Sequence, residues 1–163
     1  MAKLPLKPRL IAPVVEEVMA VARRSAALHG ESFTIAIVDE TTTPRALFRM
    51  DSADILTVDL ALGKARLVAS NGMPSRLWRK IAADDPYLGL TVPTALDRVL
   101  QGAVLFGGGY PFKVDGTIVG GIGVSGGNET EDDEVARAGL AAIPEADQFT
   151  KDDAAPLKAS DGN

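Results

Sequence analysis

Apolar positions keep a helical period early in the chain, shift to short continuous runs, and return to a helical period near its end. From Pro13 to His29, Val14, Val15, Val18, Met19, Ala22 and Ala26 share one helical face. Glu16 and Glu17 lie in the first turn and Arg23 and Arg24 follow, as the helix dipole favours, and Gly30 can end the helix. Phe33 to Asp39 is apolar and β-branched with little polar alternation, the pattern of a central strand. Glu40 to Arg45, with three threonines and Pro44, reads as a turn, and Ala46 to Met50 as the returning strand.

Leu56 to Ser70 is the second long helix. Its Leu56, Val58, Leu60, Leu62, Leu67 and Val68 point in several directions, so cover is expected from the sheet and from a neighbouring subunit. Asn71-Gly72 terminates it. Pro74 to Ala83 is a short amphipathic helix with Leu77, Trp78 and Ile81 inward, and Thr94 to Leu100 adds a further turn or two. Three short strands are expected at Ala103–Phe106, Pro111–Val114 and Thr117–Ser125, the last two joined by an Asp115-Gly116 hairpin. Thr130 to Ala142 closes the domain as a helix, and Pro144 to Asn163 is a polar tail. The order predicts a single domain over residues 1–143 of the α/β (α+β) class, with about five mostly antiparallel strands packed by helices.

At 163 residues, 46% of them hydrophobic, the chain can bury one substantial core. It has no cysteine, so disulfides, thiolate metal sites and cysteine nucleophiles are impossible. Its formal charge of −5 disfavours nucleic acid as a partner. No apolar run approaches the roughly 20 residues that span a bilayer. Glu16 and Glu17 interrupt the only N-terminal apolar stretch that resembles an export signal, so the expected location is the cytoplasm.

Two familiar spellings occur between Gly121 and Gly127. Gly121-Ile122-Gly123-Val124-Ser125-Gly126 satisfies the dinucleotide pattern, but the helix after it opens with Glu129, Glu131, Asp132, Asp133 and Glu134, which would repel a pyrophosphate. No nucleotide cofactor is expected. Gly123-Val124-Ser125-Gly126-Gly127 matches a nucleophile elbow, yet the only histidine, His29, lies far upstream; an unusual base such as Lys64 would be needed. Glycines that let a central strand pack closely explain both spellings. The acidic run reads as helix capping, with Thr130 and Asp133 as the box, and no metal site is expected.

His29 is either a capping cation at a helix end or an axial ligand. Arg49 and Lys64 sit in apolar surroundings and need anions, either a ligand's carboxylates or Asp51, Asp54 or Asp59.

The strand Ile35–Asp39, Arg49-Met50-Asp51, Lys64-Ala65, Gly108-Gly109-Tyr110-Pro111 and the Gly120–Leu140 block together resemble the GlcG/HbpS family, also found as the C-terminal part of PduO-type proteins. The resemblance covers about Val14 to Ile143. It implies a three-layer domain with helices on both faces of the sheet, assembly into dimers or higher homo-oligomers, and a haem- or tetrapyrrole-binding function beside catabolic operons. This sequence departs from the family pattern at Gly63, at Thr41 to Pro44 and at Ser52, around the expected pocket.

Two functions follow from that implication. In a binding protein, Arg49 and Lys64 face haem propionates, Gly108 and Gly109 admit the ring, and His29 or no side chain binds iron. In an isomerase or lyase working by proton transfer on a small carboxylated intermediate, Arg49 clamps the carboxylate and Lys64 is the base. Tyr110 or Asp51 then supplies the partner proton, and the N–H groups at Gly108 and Gly109 hold an oxyanion.

Overall fold

The computed structural model describes residues 6–91, 94 and 102–149. Helix α1 (Ala12–Ala26) leads into strand β1 (Thr34–Asp39), which turns back as β2 (Pro44–Arg49). Helices α2 (Leu56–Asn71) and α3 (Ser75–Asp84) follow, then β3 (Gly109–Val114), β4 (Thr117–Ser125) and helix α4 (Glu129–Leu140). The sheet runs β2-β1-β4-β3, with every pairing antiparallel.

Alternation along β1 places the helices. Ile35 and Ile37 join the larger core, with Val18 and Ala22 of α1 and Val135 and Leu140 of α4. Ala36 and Val38 face the other way, onto Ala61, Ala65 and Ala69 of α2. The result is the expected three layers, with α1 and α4 on one face and α2 on the other.

Two glycines of β4 set how closely α2 approaches. A Cβ at Gly121 would lie 2.7 Å from Val68 Cγ2, and one at Gly123 only 2.0 Å from the Ala61 carbonyl oxygen. The helix backbone therefore rests directly on the strand. This is the close packing that the glycine spellings predicted, and Ser125 ends β4 opposite Thr34 as a buried residue.

The turns follow local chemistry. Asp115 and Gly116 both have positive φ, 49° and 74°, as the mirror-image hairpin turn requires. Gly72 closes α2 in the left-handed conformation at φ 74°. Between β1 and β2, the Asp39 carboxylate accepts hydrogen bonds from the N–H of Thr41 and of Thr43 and from the Thr41 hydroxyl.

Three expectations are corrected. Among the described residues the sheet has four strands, because 103–105 form no strand: Val104 packs over Gly63 of α2, and the Phe106 carbonyl accepts the Ser75 hydroxyl instead of a ladder bond. The capping box of α4 uses Asn128 and Glu131 rather than Thr130 and Asp133; Asn128 Oδ1 accepts from the N–H of Thr130 and of Glu131 while Glu131 returns to the Asn128 N–H. The chain beyond Ile143 does not leave the domain at once. Asp147 N–H donates to the Lys113 carbonyl, and the Phe149 ring lies 5.6 Å from that of Tyr110, so residues 144–149 cover the outer edge of β3. The turn of helix expected at Thr94–Leu100 lies, apart from Thr94, outside the described residues.

Candidate functional site

Lys64 is buried on α2, and its ammonium has two partners, one at the end of β4 and one in the first turn of α4. It donates to the Val124 carbonyl at 2.7 Å and to Asp132 Oδ2 at 2.7 Å. The partner is thus not Asp51, Asp54 or Asp59 but an acid 68 residues away, in the first turn of α4. Burial pushes the Asp132 carboxyl above its usual range, against the pull of Lys64 and the Gly127 N–H and with a further push from Asp133.

Asp133 completes the cluster. Its Oδ1 accepts the Gly108 N–H, and its Oδ2 accepts Arg76 Nε at 2.8 Å with Nη2 at 2.6 Å. Arg76 also faces Glu129 at 3.3 Å, and Arg79 donates to the same carboxylate. Burial and the nearby Asp133 push the Tyr110 phenol well up. The Gly109 N–H donates to Ser75 Oγ, and Val124 N–H to the Gly108 carbonyl. At Gly108, φ is +102° and a Cβ would lie 2.5 Å from the Val124 carbonyl oxygen, so only glycine fits this crossing.

The fold therefore gathers Lys64, Gly108, Gly109 and Tyr110, and adds Ser75, Arg76, Asp132 and Asp133, which the sequence reading missed. The N–H groups of Gly108 and Gly109, expected to face an oxyanion, are already donated to protein acceptors. The signal for the two aspartates was their place beside the buried Val135 and Ala136, where pure capping residues would stay in water.

The other three candidates lie apart from this cluster. Arg49 is exposed on the edge strand β2, and its Nε and Nη2 both donate to the Ala53 carbonyl, closing the turn into α2. Asp51 is exposed in that turn. His29 follows α1 with its ring edge-on to Phe33, and its Nε2 is 3.9 Å from Glu134.

A second region was also missed. Between α1 and β2 lie two adjoining hollows of about 360 and 470 Å³ that share Ala20 and Arg23 as lining. Val15, Met19 and Ala46 line one and Phe48 and Met50 the other, so the floor of the joined groove is apolar. Arg23, Arg24 and Arg45 stand along it, with Glu16 as the lining carboxylate. Arg23 lies over the Phe48 ring at 4.0 Å, and Arg45 donates to the Leu10 carbonyl. The loose ion pairs here are Arg24 with Glu17 at 3.9 Å and Arg45 with Asp39 at 4.0 Å. Positions 12, 16, 19–20, 23–24 and 27 form a second helical stripe beside the buried one, and that stripe was the signal available in the sequence.

With this geometry in hand, comparison with known proteins places the chain. Residues 12–141 match the family described as "Haem degrading protein HbpS-like", and the chain belongs to that family. It is 35% identical over 102 residues to the corrinoid adenosyltransferase PduO of Salmonella typhimurium (strain LT2), a stretch covering 58% of this chain and 30% of that protein. The chain thus matches only about a third of the length of its curated relatives. A crystal structure of a PduOC:heme complex superposes with a TM-score of 0.73 at 26% identity, covering 83% of this chain and 96% of that one. HbpS of Streptomyces reticuli, crystallised as a double mutant, gives 0.73 at 28% identity over 86% of this chain and 90% of its own. Among the described residues, no helix is long and apolar enough to cross a membrane.

Proposed function

We propose that this HbpS-like chain binds haem or a related tetrapyrrole in the groove between α1 and β2. The observation that carries the reading is the groove itself, an apolar floor with three arginines along it and volumes of about 360 and 470 Å³. A tetrapyrrole with propionates is a flat apolar ring with carboxylates at its rim. Val15, Met19, Phe48 and Met50 suit the ring, and the planar guanidinium groups of Arg23, Arg24 and Arg45 suit the carboxylates. The hollows fall in the size range of small-molecule sites, about 300–1,000 Å³. A structural relative crystallised as a haem complex supports the ligand class.

The proton-transfer alternative has less support. Lys64, its base, is buried and already donates to a carbonyl and a carboxylate of the protein itself. The exposed Ile55 and Leu56 at the start of α2 are apolar surface available for self-association, which light scattering would detect as a mass above one chain.

Titration with haemin tests the main reading. Wild-type chain is expected to give a saturable change in the Soret band. The Arg23→Glu, Arg45→Glu double variant is expected to weaken binding by about tenfold or more, as loss of charge-assisted contacts implies. A non-saturable response from the wild type would refute the reading.

A further inference from the structure

The groove's donor set bears on what it can select. Resting on the haem-binding reading above, we infer that it recognises an anionic tetrapyrrole by its ring and carboxylates and not by its metal. Metal-free protoporphyrin is then held as firmly as haem.

The chemistry of the lining residues leads there. No imidazole, phenol or thiolate lines the two hollows; their potential iron donors are the thioethers of Met19 and Met50. Met50 Sδ already accepts the Phe33 N–H at 3.2 Å, which ties it to the start of β1. Met19 is half-buried and packs against the larger core. A lone thioether is a soft, weak ligand for ferric iron when no imidazole stands opposite it. The single histidine is not among the lining residues; its ring is turned onto Phe33 and its Nε2 toward Glu134.

The periphery is where the groove offers interaction. Arg23 lines both hollows and stacks on Phe48, so its guanidinium stands at their junction. Arg24 and Arg45 lie to either side, each with a carboxylate partner only at 3.9–4.0 Å. The Arg24–Glu17 pair is exposed and exchanges readily for a ligand's carboxylate, while Arg45, its side chain half-buried and anchored on the Leu10 carbonyl, presents its remaining N–H groups. Glu16 sets a repulsive boundary that would exclude a further ligand carboxylate from that end.

The experiment is a matched titration of the whole chain with haemin, protoporphyrin IX and cyanocobalamin, a ring whose peripheral groups are mainly amides. It is read by quenching of Trp78 emission and by calorimetry. Haemin and protoporphyrin are expected to bind within about threefold of each other, cyanocobalamin at least about tenfold more weakly. Arg23→Glu is expected to weaken both porphyrins by a similar factor of about ten. Met19→Leu and His29→Ala are expected to leave the Soret position unchanged, and His29→Ala, outside the groove lining, the haemin Kd as well.

Haemin binding about tenfold tighter than protoporphyrin, or a Soret band moved by either of the last two substitutions, would overturn the inference while leaving haem binding intact. If neither porphyrin binds, the proposed function itself falls. Equal binding that ignores Arg23→Glu places the ligand elsewhere and removes the groove. A dimer split by Arg23→Glu and untouched by porphyrin would make the groove a subunit interface and equally overturn the proposal.

Discussion

The start of α4 and the α1–β2 groove each collect three cations, and they treat them in opposite ways. At α4, Lys64, Arg76 and Arg79 meet Asp132, Asp133 and Glu129, several at hydrogen-bond distance, and Lys64, Asp132 and Asp133 are buried. In the groove, Arg23, Arg24 and Arg45 stay at the surface with carboxylates no nearer than 3.9 Å. A buried charge must be paired because its desolvation costs several kcal/mol, so the first set fixes how α2, α4 and the Gly107–Gly109 turn assemble. An exposed arginine carries no such demand. Its charge remains available to a solute.

The largest effect that would break this contrast is expected at Lys64. Lys64→Met leaves Asp132 buried beside Asp133 without its cation, a loss of about 3–5 kcal/mol in a chemical denaturation curve. The double variant Lys64→Met, Asp132→Leu should recover much of it, since an apolar pair of similar volume can replace a buried ion pair. A Lys64→Met chain as stable as the wild type would deny the cluster its structural role.

Gly123→Ala comes next. Its Cβ would sit 2.0 Å from the Ala61 carbonyl oxygen and 2.6 Å from the Ala65 nitrogen, lifting α2 from β4. Overpacking of this kind costs about 1–3 kcal/mol. The groove lies on the opposite face of the sheet, so haemin affinity per folded molecule should be unchanged. Arg23→Glu inverts that result, with a stability loss of only about 1 kcal/mol, from the Phe48 stacking and the helix end, and a tenfold loss of ligand affinity.

Two smaller effects concern pH. Burial, with Asp133 close by, raises the Tyr110 phenol above its ordinary value, so the folded chain holds that proton more tightly than the unfolded chain. This contribution is complete below about pH 10, the unfolded value, and is lost as pH rises toward the folded one. Melting temperatures of Tyr110→Phe should fall less steeply above that pH than those of the wild type. Asp39 shifts the other way: burial acts to raise it, but hydrogen bonds from Thr41 and Thr43 and the charge of Arg45 carry it below its usual value. Its contribution is present above about pH 4 and fades as pH falls through the lowered value. Asp39→Asn should lower the neutral value slightly and flatten the acid limb, the two chains converging as pH falls through the lowered value.

Much of the fold was legible along the chain. The period of α1, the β-branched run of β1, the Asp115-Gly116 turn and Gly72 all rest on interactions within a few residues, and each appears where its residues placed it. The apolar run 103–106 was misread as strand because apolarity alone does not say whether a segment pairs or packs. Val104 packs over Gly63, a contact between residues about forty positions apart.

The site was less legible. Lys64 was recognised as a cation in need of an anion, but the identity of its partner depended on the end of β4 bringing the first turn of α4 to the flank of α2. Along the sequence Arg23 reads only as a helix-end cation and Arg45 only as the close of a turn, because both are ordinary until a sheet edge sets them side by side.

Sequence alone determined the helices, the central strands, the hairpin and the family, because these follow from short-range periodicity, backbone preference and residue patterns read in order. Tertiary structure alone decided which charges are consumed and which remain to meet a ligand. Ion pairing and desolvation depend on distance in space, and the acid opposite Lys64 is 68 residues away along the chain.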